Sequence, residues 1–313
     1  MIQHDGAPVA SASASPRVCV TICIASAGRS SLLATLKSVA ALKCSERIVF
    51  DVLVVDDSKD GRAAALICEE GPWSVPIKCV HCGAGNVAMA RNVCLDHAMG
   101  DWLCFIDDDE RAPPDWLDRL MALAQDVDAD AVFGPVKAVY PPEAPQWLRA
   151  ADPYSRKYGR RGQRLSHGPT CNTLVKRKLI IETGLRFDPA FGQTGGEDNE
   201  FFAQLAEHYG VLVASDDAVV LEDIPIERLQ FSFMRHRFMR GGQCHARLVL
   251  KRAGLPRRVT FYGISVVKAA TLLSISALLF PFRRDLAFQA WKKGWLNFGK
   301  ARHAFNVAIP QFR

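Results

Sequence analysis

The run Trp102-Leu103-Cys104-Phe105-Ile106-Asp107-Asp108-Asp109-Glu110 passes from five apolar residues straight into four carboxylates. So short and unbroken an apolar stretch reads as a strand buried on both faces, the kind found where helices cover a parallel sheet. Its acidic end then falls where open α/β sheets bind ligands, beyond the carboxyl ends of the strands. Adjacent carboxylates repel one another unless a cation or a set of donors neutralises them. An all-oxygen donor set suits a hard divalent ion, and Mg²⁺ is commonly shared between one or two carboxylates and substrate phosphates. A second acidic cluster, Gly195-Gly196-Glu197-Asp198, sits on a glycine turn ahead of an apolar helix expected over Asn199 to His208.

Working outward, Val18 to Ala25 is rich in β-branched residues and reads as a first strand. Ser30 is placed to cap a helix carrying Leu32, Leu33, Leu36, Val39 and Ala40 at helical spacing. A strand over Ile48 to Val55 runs into Asp56-Asp57-Ser58, and one near Ile77 to Val80 precedes Gly83-Ala84-Gly85-Asn86. A helix carrying Ala90, Arg91, Asn92 and Leu95 follows, then the acidic strand, then a fifth strand over Asp130 to Val136. Alternating strands and helices with apolar strands predict an α/β fold, a mainly parallel sheet covered by helices. Residues 141–170 lack a clear period and read as a long, partly ordered connection, the kind that often carries function. Cys171 to Val175, Val211 to Ser215 and Ala218 to Leu221 read as further strands, and Ile226 to Leu250 as a basic helix.

The chain has 313 residues, 49% hydrophobic and 23% charged, enough for one large domain with an appendage. Residues 1–16 form an Ala/Ser-rich tail expected to be disordered and unlike a secretory signal. The organisation expected is a domain over 17–225, with halves 17–136 and 137–225, and a helical extension over 226–313. The formal net charge is +6, with basic residues gathered in Arg156–Arg164, Arg235–Arg258 and Arg283–Arg302. No zinc finger or nucleic-acid recognition motif accompanies them, so no nucleic-acid partner is expected. Ten cysteines, several inside strands, fit a reducing compartment, and the lone Cys79-x-x-Cys82 reads as strand-end coincidence.

Phe261 to Phe282 is apolar apart from Lys268 and is bracketed by Arg257-Arg258 and Arg283-Arg284. It is marginal as a span. Phe288, Trp291, Trp295 and Phe298 then share one helical face among basic residues, a pattern suited to the membrane interface. Monotopic or peripheral association is the reading preferred over a span, with a helical pair packed on the domain as the alternative.

Taken in order, these segments resemble glycosyltransferase family 2, the inverting enzymes of GT-A fold. The segments are Val20-Thr21-Ile22-Cys23-Ile24-Ala25, Val54-Val55-Asp56-Asp57-Ser58, Ala90-Arg91-Asn92, Phe105-Ile106-Asp107-Asp108-Asp109-Glu110 and Gly134-Pro135-Val136. Cys171-Asn172-Thr173, Gly195-Gly196-Glu197-Asp198 and Gly242-Gln243-Cys244-His245 complete the set. Within that family the likeness is to the glucosyltransferases of bacterial exopolysaccharide pathways, over roughly 17–250.

The resemblance implies that Asp56 and Asp57 contact the uracil of a UDP-sugar, with Arg91, Asp108 and Asn172 around the nucleotide and sugar. Asp107 and Asp109 match a metal-binding DxD pair for Mg²⁺ or Mn²⁺, Asp109 being the direct ligand. Asp198 matches the catalytic base, and Glu197 shapes the acceptor pocket. It also implies a polyprenyl-diphosphate-linked acceptor at the cytoplasmic face of the bacterial inner membrane. The first loop, Ile24-Ala25-Ser26-Ala27-Gly28-Arg29, departs from the usual Pro-Thr-Tyr-Asn, so no base stacking is expected there. Leu221-Glu222 stands where relatives often have His, and the Gln-x-x-Arg-Trp of processive synthases is absent, so single additions are expected. Arg156, Lys157, Arg160, Arg161 and Arg164 read as a solvated face, with a lipid-pyrophosphate contact as the alternative. A nucleotidyltransferase and a non-catalytic membrane scaffold are the competing functions. The first lacks a glycine-rich loop after strand one, and the second has no need of Asp109 and Asp198.

Overall fold

The computed structural model describes residues 17–208 and 210–305. The tail 1–16 lies outside them. Ten strands and ten α-helices run in the order β1 (Val18–Ser26), α1 (Ser31–Ala40), β2 (Ile48–Asp56), α2 (Arg62–Glu70), β3 (Ile77–His81), α3 (Val87–His97), β4 (Trp102–Phe105), β5 (Glu110–Arg111), α4 (Trp116–Asp126), β6 (Ala131–Phe133), β7 (Val136–Val139), α5 (Gln146–Ala151), β8 (Thr173–Lys176), α6 (Arg177–Thr183), α7 (Glu197–Glu207), β9 (Leu212–Ala214), β10 (Val220–Asp223), α8 (Phe231–Leu250), α9 (Leu255–Leu279) and α10 (Arg284–Arg302) among the described residues.

The main sheet has the order β3-β2-β1-β4-β8-β6-β9. β1 to β4 are parallel, joined by helical crossovers, while β8 runs antiparallel between β4 and β6. Apolar residues of both sheet faces are buried, Val20, Ile22 and Val52 on one side and Cys23, Leu53 and Phe133 on the other. Two-sided burial is why these strands read as continuous apolar runs.

The fifth expected strand is two. Gly134-Pro135 breaks it, sending β6 into the main sheet and β7 into a small second sheet ordered β5-β10-β7. A Cβ at Gly134 would run into the Asn172 side chain, so the close approach at the break needs glycine. The expected cap at Ser30 also differs. The helix does begin at Ser31, but Ser30 is itself in the right-handed helical region and its hydroxyl makes no capping bond.

The last three helices form a packed unit. α8 and α10 cross so closely that a Cβ at Gly242 would fall on the Leu296 carbonyl, and one at Gly299 on that of Met239. The aromatic face of α10 is turned inward, contrary to its reading as a membrane face. Phe288 and Trp291 pack on Phe238 and Phe231 of α8 and, with Trp295, join Leu148, Tyr154 and Met234 in one cluster. Only Phe298 of the four aromatics is substantially exposed. α9 is the inside-out element: Ser265, Ala269 and Ser276 are buried, while Ile264, Val267, Ile275 and Leu278 face outward.

Candidate active site

The acidic run after β4 alternates in exposure: Asp107 and Asp109 are partly open, whereas Asp108 and Glu110 are buried. Asp108 turns back to the end of β1, accepting a 2.7 Å hydrogen bond from the Ser26 hydroxyl. Glu110 points into the small sheet, directly across from Glu222 of β10. Two buried like charges facing one another are destabilising unless shared by a cation. Arg156 supplies it, 3.2 Å from Glu110 and 2.7 Å from Glu222. Arg156 is thus no part of a solvated face. Arg161 of the same cluster pairs with Asp126 and Asp217.

Asp109 is held between Arg29 at 3.3 Å and Arg228 at 3.0 Å, the latter also bonded to Glu222 at 2.8 Å. Burial pushes the Asp107 carboxyl up to about 6; Asp109 and Asp108 add to the rise and Arg91 opposes it. Asp107, Glu110 and Cys171 bring one ligand atom each within 4.8 Å of one another. Of these, Glu110 is already neutralised by Arg156, and burial keeps the Cys171 thiol protonated by raising it well above its usual range. The partly open carboxylates of the run, Asp107 and Asp109, are the hard oxygen donors a divalent ion takes, and Asp109 would exchange its pairs with Arg29 and Arg228 for it.

The second acidic cluster meets the first. Gly195 and Gly196 both have positive φ, +80° and +95°, and turn the chain into α7 against Cys244 of α8. α7 starts two residues earlier than its apolar pattern predicts, so Glu197 and Asp198 occupy its first turn, where the helix dipole favours carboxylates. Arg91, projecting from α3, bridges the two clusters: Nη1 bonds Glu197 Oε1, and Nη2 lies 3.6 Å from Asp107. Burial, with Asp198 beside it, raises the Glu197 carboxyl, and its Oε2 has no partner among the described residues. Asp198 is half-buried, with Oδ1 accepting from the Asn199 amide at 2.7 Å.

At the other end of the site, Asp57 is buried with Oδ1 unpartnered among the described residues. Its neighbour Asp56 is structural. Its carboxylate accepts from the backbone of Ser58 and Ala63, each at 2.9 Å, fastening β2 to α2. Asn172 is likewise spent on the frame. Fully buried at φ +52°, it donates to the Pro135 and Ala218 carbonyls at 2.8 and 2.7 Å and accepts from the Trp116 indole at 2.7 Å. It fastens the break between β6 and β7 and has no donor left for a sugar. Sequence reading gave Arg29, Arg228 and Arg240 no role at the site, and gave Arg156 a surface one. Arg240 has a buried Nη1 without a partner among the described residues and lies beside Gly195.

A family profile described as Glycosyl transferase family 2 matches residues 18–184. The chain belongs to glycosyltransferase family 2. Succinoglycan biosynthesis protein ExoM of Rhizobium meliloti (strain 1021) is 36% identical over 254 residues, 81% of this chain and 82% of that protein. Two solved structures share the GT-A-like fold. The mannosyltransferase PcManGT from Pyrobaculum calidifontis, in complex with GDP-Man and Mn²⁺, is 18% identical at TM-score 0.61, covering 94% of this chain and 90% of its own. TarS residues 1–349 of S. aureus, in complex with UDP-GlcNAc, is 17% identical at TM-score 0.52, covering 92% and 91%. In this family 2 glycosyltransferase the two acidic clusters meet between the end of β4 and the first turn of α7, joined by Arg91.

Proposed function

We propose that this glycosyltransferase moves a hexose, glucose by preference, from a UDP-sugar to a lipid-linked oligosaccharide in exopolysaccharide synthesis, with inversion at the anomeric carbon. The observation that carries the reading is Arg91, whose guanidinium touches Asp107 on one side and Glu197 on the other. It puts the carboxylates suited to a diphosphate-bound cation next to the helix turn that bears Asp198. The unpartnered Asp57 Oδ1 supports a uracil site, since an imide N–H is the donor it lacks.

Asp107 and Asp109 would hold Mg²⁺ or Mn²⁺; burial is the main cause that raises Asp107, and the repulsion from Asp109 and Asp108 that adds to it is what such a cation relieves. Bound there, the cation supplies Lewis-acid stabilisation of a diphosphate leaving group. Asp198 takes the proton of the incoming hydroxyl as general base, and Glu197, fixed by Arg91, shapes the wall beside it. No second carboxylate is needed for a covalent intermediate, because a single in-line displacement inverts the centre.

The resemblance to ExoM supports the exopolysaccharide setting, and the outward apolar face of α9 supports work at a membrane. We place the enzyme at the cytoplasmic face of the bacterial inner membrane, held peripherally. The test is Asp198→Asn, assayed for sugar transfer to lipid extract and for UDP binding by calorimetry. Transfer is expected to fall by about 10²-fold or more while UDP binding is kept. Near-parental turnover from the variant would remove Asp198 from the mechanism.

A further inference from the structure

A cavity of about 600 Å³ opens between the start of α8 and α10, lined by Glu227, Gln230, Arg235, His236, Trp295 and Arg302 among others. Arg235 lies over the Trp295 ring at 5.5 Å. Among the described residues neither Arg235 nor Arg302 forms an ion pair with a carboxylate, and the two share this one cavity. Two guanidinium groups left without a counter-charge in one concave site, with a single acid at its rim, suit a ligand carrying more than one negative charge.

Two neighbours narrow the class of ligand. One helical turn along α10 from Trp295, Trp291 lines a second, apolar cavity of about 320 Å³, shared with Phe231, Leu273, Phe280 and Phe288. The two indoles are 6.3 Å apart, so the anionic and apolar spaces adjoin. α9 forms a wall of the apolar cavity and presents its exposed valine, isoleucine and leucine side chains away from the protein. In the other direction, Glu227 on the rim precedes Arg228, whose guanidinium sits on Asp109. α8 itself runs from His236 in the cavity to Cys244 against the Gly195-Gly196 turn, eight residues or about 12 Å of helix.

We propose that this cavity seats the diphosphate head of a lipid-linked acceptor. Arg235 and Arg302 bind the diphosphate, and the apolar cavity takes the first carbons of the lipid chain. α8 is the track along which the attached sugars reach Asp198. The proposal deepens the reading of the chain as a transferase to a lipid-linked acceptor and rests on it. It also relocates the basic contact from Arg156–Arg164, whose best-placed guanidinium is occupied by Glu110 and Glu222.

The test is tryptophan-fluorescence titration of the full chain in detergent with farnesyl diphosphate, inorganic pyrophosphate and farnesol, alongside calorimetric titration with UDP. Farnesyl diphosphate is expected to bind saturably, at least tenfold more tightly than either pyrophosphate or farnesol. The double variant R235Q/R302Q should weaken it tenfold or more with UDP affinity unchanged, which also shows that the variant is folded. Parental affinity for farnesyl diphosphate in that variant overturns the site. So does full displacement of farnesyl diphosphate by UDP, because the probe is then in the nucleotide site, and pyrophosphate binding as tightly as the lipid shows a free-anion site instead. Failure of the donor reading registers separately, as absent UDP binding in the parent.

Discussion

Arg91 is the residue on which the site turns. Its guanidinium is nearly buried and shared by Asp107 and Glu197, so its removal strands Glu197 without a counter-charge. Breaking a buried pair from one side costs about 3–5 kcal/mol. Arg91→Ala should therefore lower the melting temperature clearly, and adding Glu197→Gln should restore part of the loss by removing the stranded charge. A double variant no more stable than Arg91→Ala would show that the pair is not the reason. Asn172 offers a purely structural counterpart. Asn172→Ala leaves the Trp116 indole and two carbonyls unpaired, each costing about 1–3 kcal/mol, so thermal unfolding should shift down strongly with UDP affinity kept in whatever folds. For the proposed metal pair Asp107 and Asp109, Asp109→Asn should abolish tight Mn²⁺ binding followed by electron paramagnetic resonance, whereas Asp56→Asn should leave it intact. Carboxylates at a strand end and on a glycine turn drew attention to Asp107, Asp109 and Asp198 in the sequence, whereas Arg91 was singled out only through the family resemblance. Sequence did not show which polar side chains are already spent. Asp56 and Asn172 look like ligand residues until their backbone partners are seen. The pairing of Glu110 and Glu222 with Arg156 links positions 46 and 66 residues apart, beyond any local pattern.

At the level of elements, β1 to β4 and their helices were legible because burial on both faces leaves long apolar runs. Short elements were less so. β6 and β7 merged into one expected strand, since Val136 continues the apolar pattern although Gly134-Pro135 diverts the backbone. The turn into α7 shows how an element delivers function. Gly196 has φ +95°, and a Cβ there would sit 3.2 Å from that of Cys244. Gly196→Ala should push the first turn of α7 away from α8, displacing Asp198 relative to the donor. A displacement of about 1 Å can cost 10²-fold in rate. Transfer is expected to fall far more than UDP affinity, measured by paired kinetics and calorimetry. Equal losses in both would mean that the turn merely supports the fold.

For the whole molecule, the sequence reading offered two membrane-facing candidates, the apolar run 261–282 and the aromatic face of α10, and the structure leaves only the first exposed. The α10 aromatics are spent on packing against α5 and α8, and the exposed apolar surface belongs to α9. α9 buries Ser265, Ala269 and Ser276 and exposes Ile264, Val267, Ile275 and Leu278, the reverse of a helix in water. Small residues inward and large apolar residues outward is the arrangement expected where lipid is the solvent. One side of α9 is covered by α10 over much of its length, and Lys268 projects from the exposed side near its middle. Both facts favour a helix lying in the interface, where a lysine stem can follow the apolar surface and keep its charge in water. Arg257, Arg258, Arg283 and Arg284 flank the patch, so anionic lipid should strengthen binding and salt should weaken it. Sedimentation with vesicles containing phosphatidylglycerol is expected to pull down the parent, less so in pure phosphatidylcholine and less again at 1 M salt, where screening extends only ~3 Å. The triple variant I264E/V267E/L278E changes only exposed positions, so it should keep UDP affinity and stay in the supernatant. A variant that still sediments with the vesicles would move the membrane contact off α9.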